Sequence, residues 1–416
     1  MLIREAGPVR AETRLAKHPK PAPGPAAAVA ADRAEVSPPA RLQVGTYNLG
    51  AGNAGARQHF DETTRQVSEQ VTGGGLDVVA FQEVDVGAER TGRQDYNEEV
   101  LKDVFRAESG PNWSEAESVD KFSLDEHGQP VVDEQGHRVY DPVRYDRTQY
   151  EADFGDHREQ QVVERVAQGA DHVVYESNGA SLVVSKESYD EHGQPYLENG
   201  RRAFDDSNDT PITVYSAEIE KDGAQTDYTV VFGSSLAHSG AGTYGNAVLL
   251  GPEAQLRRDA QGEIEPGSLR RHDLGANDPD NENRTALAVG FEAGGQEATF
   301  VSTHFTSGGD EADQQARVTQ YQTLGDIVEG YGDHTIVAGD FNSKAGGRYL
   351  DFRWRGLLPD NPVHHYPSAD SLGWSDPDAD NSIDRIYTSH GSQASGRHRV
   401  EGGGSDHELV RWDVTV

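Results

Sequence analysis

The chain contains no cysteine, which excludes disulfides, thiolate metal sites and a cysteine nucleophile. That absence leaves the compartment open, secreted or cytoplasmic. No apolar run approaches the length of a membrane-crossing helix, so no transmembrane segment is expected. Lysine is scarce, with 7 residues against 30 arginines. Positive charge is short overall, and the formal net charge is −34. A field that negative opposes loose binding to nucleic acid or anionic lipid, yet it permits a cationic cleft or one neutralised by divalent metal. An acidic, lysine-poor surface resembles those of salt-adapted proteins. A high-GC coding bias with a solvated acidic shell yields the same composition.

Hydrophobic content is low at 34%, but strand-like apolar runs recur from Leu42 to the C-terminus. With 416 residues, either one large α/β domain or two smaller ones can bury a core. Residues 1–40 differ: Pro19 to Pro25 alternates proline with other small or basic residues, and no apolar period follows. They read as a disordered Ala/Pro-rich arm, not a standard signal peptide. Folding is expected to begin with the alternating strand 41–49, followed by a helix over 58–72, a buried strand over 76–84 and a helix near 94–107. Strand, helix, strand at that spacing argues for α/β architecture.

From about 109 to 224 the pattern loosens into what reads as a long insertion of illegible function. Two similar pieces, Asp125 to Pro130 and Asp190 to Pro195, look like hairpin tips whose histidines are exposed turn residues. A helix-like stretch over 157–168 and the apolar run Ser181 to Val184 indicate order. A hairpin with strands 211–219 and 227–233 follows, then the stretch Gly242 to Leu250 and a polar loop. Strands 284–289 and 298–304 and a helix over 311–329 lead into the strand Thr335 to Asp340.

Polar side chains gather at these strand ends and adjoining loops: Asn48, Glu83, His304, Asp340, Asn342, Asp384, Asp406 and His407. Alternation along an extended backbone sends Asp340 and Asn342 to the same side, although the pair also suits an Asx turn closing a strand. Each of the others has a bland reading too, such as a helix cap, a satisfied core histidine or a turn former. Together they form an inventory of acids, amides and imidazoles without thiols. That inventory suits a hard, oxygen-preferring cation beside an acid–base pair.

Seven pieces carry a resemblance. Tyr47-Asn48, Gln82-Glu83, Tyr244-Gly245-Asn246-Ala247, Thr303-His304, Gly339-Asp340-Phe341-Asn342, Ile383-Asp384-Arg385-Ile386 and Ser405-Asp406-His407 occur in the order found in the endonuclease/exonuclease/phosphatase superfamily. The chain resembles this deoxyribonuclease I-like family over about 41–107 and 225–416, making 41–416 one domain with the insertion at about 109–224. The resemblance implies a four-layer α/β/β/α sandwich of two packed, mostly antiparallel sheets flanked by helices. It further implies Glu83 and Asp406 as metal ligands with Asn48 beside them, for Mg²⁺ or Mn²⁺, with Ca²⁺ a further candidate. His407 would be general base or electrostatic partner, held by Asp384. Asp340 would position or deprotonate the attacking water, and Asn342 would hold a phosphate oxygen. His304 would protonate the leaving oxygen, and Arg284 and Asn246 match substrate-phosphate positions.

The implied reaction is hydrolysis of a phosphate ester, with nucleic acid the expected substrate and a monomer the expected state. The histidine pair His304 and His407 resembles the deoxyribonuclease, toxin-nuclease and sphingomyelinase branches. Abasic-site endonucleases usually carry a lysine after the metal glutamate, where this chain has Val84-Asp85-Val86. Inositol-polyphosphate phosphatases carry proline, tryptophan and cysteine where this chain has Asp380 to Ile383. A phosphomonoesterase or lipid phosphodiesterase is the enzyme alternative. A non-catalytic binding module is the alternative of another class, and it would have no use for Glu83, Asp340, Asp406 and His407 together.

Overall fold

The computed structural model describes residues 39–50, 57–86, 95–109, 148–152, 160–167, 170–177, 180–198, 201–202, 210–235, 243–277, 283–342, 383–389, 391–400 and 404–416. The arm expected at 1–40 lies outside them apart from its last two residues, as does the first hairpin tip at Asp125. The chain opens with β1 (Arg41–Asn48), α1 (Arg57–Thr72), β2 (Val78–Val86) and α2 (Tyr96–Ser109). Six strands follow: β3 (Thr148–Ala152), β4 (Gln160–Ala167), β5 (Ala170–Ser177), β6 (Ala180–Tyr189), β7 (Leu197–Glu198) and β8 (Arg201–Arg202). Next come β9 (Ile212–Lys221), β10 (Ala224–Ser234), β11 (Thr243–Leu250), β12 (Gln255–Leu256), β13 (Leu269–Asn277), β14 (Asn283–Ala293) and β15 (Gln296–His304). The chain ends with α3 (Glu311–Val328), β16 (Thr335–Asp340), β17 (Asp384–Thr388), β18 (Gln393–Val400) and β19 (Leu409–Thr415).

One sheet runs β18-β19-β1-β2-β11-β10-β9-β6-β5-β4-β3, and a second runs β12-β14-β15-β16-β17 with β13 on β14. Most pairs are antiparallel, but β1 with β2 and β15 with β16 are parallel. Each parallel pair is joined through a helix, since antiparallel hairpins cannot connect strands that run the same way. Alternation then sorts the side chains. Val44, Val78 and Val248 face Leu287, Phe300 and Ile336 in an apolar layer between the sheets. Phe81 and Leu249 point outward instead, to Val67 of α1 and Val104 and Phe105 of α2. On the far side, Ala288, Val301 and Val337 meet Leu324 and Val328 of α3. Three apolar layers between four tiers of structure make the α/β/β/α sandwich.

Two stretches differ from sequence expectation. The helix-like stretch 157–168 contains β4, laddered antiparallel on β5 with Val162 opposite Tyr175. Its β-branched Val162, Val163 and Val166 favour a pleated strand over a helix. The polar loop expected after Leu250 contains β12 and β13. Leu269-Arg270-Arg271-His272-Asp273 hides its apolar period behind charge, because Arg271 spans to Ser234 O (2.9 Å) instead of meeting an apolar neighbour.

His272 on β13 also gives the fold a pH response. Its Nε2 lies 2.6 Å from the hydroxyl of Tyr331. Burial, then the charges of Arg270 and His192, push its pKa from 6.5 down to about 4. The unfolded chain binds this proton near pH 6.5 and the native one only near 4. The stability tied to neutral His272 is therefore present above pH 6.5 and lost as pH falls through 4. Thermal melts should show the midpoint falling across that window, with a smaller fall in His272→Gln. An equal fall in both proteins would remove His272 as the cause.

Candidate active site

The apolar layer between the sheets ends in a polar cap. On β1, Val44, Thr46 and Asn48 share the inner face, and on β16, Ile336, Ala338 and Asp340 do the same. His304 ends β15 and Asp384 begins β17, which brings both beside Asp340 through the pairings His304↔Asp340 and Asp340↔Asp384. Gly339 is required next to Asp340, because a Cβ there would lie 2.0 Å from Thr303 O.

Glu83 reaches the same place by a different route. Between Phe81↔Ala247 and Val84↔Gly245, β2 carries Gln82 and Glu83 where β11 carries only Asn246. This extra residue is a β-bulge, and Glu83 takes φ 56° in the left-handed region. Gly245 accommodates the bulge, since a Cβ there would lie 2.0 Å from Gly233 O. Plain alternation would have sent Glu83 outward after the inward Gln82. The bulge instead sets its Oε1 3.1 Å from the amide nitrogen of Asn48 and 3.9 Å from His304 Nε2. Among the described residues, only Glu83, Asp222 and Asn342 have positive φ without being glycine, so two of the three are here.

Asn48 donates from its amide nitrogen to Asp340 Oδ2 (3.0 Å) as well, while its oxygen accepts from Gly50 N (3.0 Å). Asn342, at φ 48°, closes an Asx turn in which its backbone N–H donates to Asp340 Oδ1 (2.8 Å). Its side-chain amide donates to Phe305 O (2.9 Å) and lies 3.1 Å from His304 Nε2. The turn and the convergence of Asp340 with Asn342 are thus both present. The convergence comes from a left-handed residue, not from continued strand alternation.

The imidazoles His304 and His407 flank Asp340, each with Nε2 3.7 Å from its Oδ2. His407 rests its Nδ1 on the Asp384 carboxylate at 3.1 and 3.2 Å. Burial alone would lower its pKa, but Asp384, with Asp340 and Asp406 behind it, raises it to about 9. His304 differs, because Nη1 of Arg284 lies 3.1 Å from its Nδ1 and the hydroxyl of Tyr244 lies 3.4 Å away. Arginine and the amide nitrogen of Asn342 are both donors, so a donor faces each ring nitrogen of His304. Burial, then Arg284 and His407, hold His304 neutral, well below the usual imidazole range. Burial and the neighbouring Asp384 lift the Asp340 carboxyl to about 7 against the pull of His407.

Two further candidates sit apart from this cluster. Asn246 is buried and donates to Thr285 O (2.9 Å), inside the sheet interface. Asp406 is exposed on the loop before β19, where Ser405 Oγ donates to Asn48 O (2.6 Å). Asp340, Asp384 and His407 present ligand atoms within 4.8 Å of one another. With Glu83 close to Asn48 and His304, the available donors are mainly carboxylate oxygens, and Asp340 carries a buried charge that a cation would relieve. This donor set fits a hard divalent ion. The polar side chains of Thr46, Gln82 and Ser302 beneath the cap were not singled out from sequence. Their shared parity with Val44, Ala80 and Phe300 on the inner face was the available signal.

No curated protein sequence matches the chain. Similar solved structures include an endonuclease/exonuclease/phosphatase from Beutenbergia cavernae, 12% identical over 91% of this chain and 72% of that one, at a TM-score of 0.44. An endonuclease/exonuclease/phosphatase family protein from Bacteroides thetaiotaomicron is 12% identical over 91% and 98%, at 0.42. A mannosyl-6-phosphatase from Bacteroides thetaiotaomicron is 14% identical over 90% and 99%, at 0.37. The sequence pattern of the Endonuclease/Exonuclease/phosphatase family matches residues 45–407, a span running from β1 to the His407 imidazole, and the chain belongs to that family of hydrolases.

Proposed function

We propose that the chain is a metal-dependent phosphodiesterase that cleaves nucleic acid. The observation that carries this reading is the pair of imidazoles on either side of Asp340, one held by a carboxylate and one by an arginine. Hydrolysis of a diester requires a proton removed from water and another supplied to a poor leaving group. Two imidazoles facing Asp340 from opposite sides can divide those tasks. His407, with its Nδ1 proton directed to Asp384, turns Nε2 toward Asp340 and the water that Asp340 orients. His304 would protonate the leaving oxygen and Asn342 would hold a phosphate oxygen, with Arg284 behind His304 at its Nδ1. Glu83 and Asp406 would hold Mg²⁺ or Mn²⁺, with Asn48 fixing Glu83 from the side. Bound there, the ion supplies positive charge to the phosphoryl oxygens. It would also add positive charge locally, in a chain whose net charge of −34 otherwise opposes a polyanionic substrate.

Purified protein is expected to nick supercoiled plasmid with Mg²⁺ and to stop when chelator is added. Readdition of Mg²⁺ should restore nicking. Folded protein that leaves plasmid intact but hydrolyses a phosphomonoester or a phospholipid would replace nucleic acid with that substrate.

A further inference from the structure

A polar rung crosses the sandwich directly beneath Glu83. Gln82 Oε1 accepts from Thr46 Oγ1 (3.2 Å), and its Nε2 approaches Ser302 Oγ of the facing sheet (3.5 Å). Ser302 Oγ donates back to Phe81 O (3.2 Å), and Gln82 O accepts from Leu49 N (3.0 Å). Thr46, Gln82 and Ser302 are all fully buried, immediately above the apolar layer formed by Ala80, Phe300 and Ala338. A carboxamide in such a place costs stability unless it is bonded. Apolar contacts would hold the sheets together without fixing their register, whereas hydrogen bonds are directional. Across the bulge, Asn246 Nδ2 makes a second crossing to Thr285 O (2.9 Å). The left-handed Glu83 is thus bracketed by two buried amides that each tie its own sheet to the other.

We propose that Gln82 is a positioning residue, acting through Glu83. By tying β2 to β15 at the first residue of the bulge, it holds the left-handed turn that keeps the Glu83 carboxylate facing Asn48 and His304. This inference rests on the reading of Glu83 as a metal ligand. Residues that orient a ligand from behind typically change metal affinity by about 10–100-fold when removed.

The test is Mn²⁺ binding by the full chain, followed by electron paramagnetic resonance of the free ion. Gln82→Met preserves length and loses both side-chain hydrogen bonds, and its dissociation constant should rise at least about tenfold. Ser302→Ala, which leaves Gln82 in place, should give a smaller rise and serves if Gln82→Met fails to fold. Thr64→Val is the control, because it removes a buried hydrogen bond to Asp103 (2.6 Å) between α1 and α2. It should lower the melting midpoint and leave Mn²⁺ affinity unchanged. Folded Gln82→Met, or failing that Ser302→Ala, with wild-type affinity overturns the inference. Wild-type protein that binds no Mn²⁺, or Glu83→Gln that binds it equally well, overturns the metal reading beneath it instead.

Discussion

His407→Ala is expected to lower the rate of phosphodiester hydrolysis by roughly 10²–10⁴-fold at saturating Mg²⁺, the usual worth of a positioned acid–base group. The ring is held on its Nδ1 side by Asp384 at 3.1 Å, which fixes the tautomer and leaves Nε2 turned to Asp340. Alanine removes the imidazole that faces Asp340 and the phosphoryl group, but it leaves Glu83, Asp406 and Arg284 intact. The loss should therefore fall on kcat with little change in KM. His407 lies on a loop at the rim, outside all three apolar layers. Its removal should leave the circular dichroism spectrum unchanged and the melting midpoint within a few degrees of wild type. Activity within a few-fold of wild type would mean that another group takes the proton.

Asp340→Asn is expected to be nearly as inactive and, without metal, no less stable above neutral pH. Asp340 is 1% exposed and carries a negative charge beside Asp384. The native carboxyl titrates near 7 and the unfolded one near 3.8, so the native state holds its proton over that interval. Its stabilising contribution is complete below 3.8 and is lost as pH rises through 7. Asparagine has no charge to bury, although it gives up the hydrogen bond from Asn48, worth about 1 kcal/mol. In chelator the variant should therefore melt at or above wild type at pH 8 and below it near pH 4. A gap that does not change with pH would show that the Asp340 charge is relieved by something other than metal. Activity should fall roughly 10²–10⁴-fold, since a neutral amide neither pulls a proton from water nor complements His407.

The fold was legible where alternation survives to the end of a strand. Asn48 continues the parity of Val44, and Asp340 that of Ile336, so both could be placed between the sheets from sequence. Glu83 could be named from the motif but not placed, because a bulge reverses parity and leaves no mark in the residues around it beyond Gly245. The strand β13 was hidden because its inward Arg271 spends its charge on a carbonyl of the other sheet. Arg284 and Asn246 were found as positions, but their targets are cross-strand contacts that no local spacing encodes: His304 for one and Thr285 O for the other. Gln82 was read only as the neighbour of a glutamate, although its inward parity with Val78 and Ala80 pointed to the sheet interface.

The left-handed backbone at Glu83 and Asn342 has an evolutionary consequence. A side chain in that region costs about 1–2 kcal/mol that glycine would not incur. A descendant with no further use for hydrolysis would gain stability by a single exchange of Glu83 for glycine. Drift after loss of function would therefore run downhill at this position, against the ligand role proposed for Glu83.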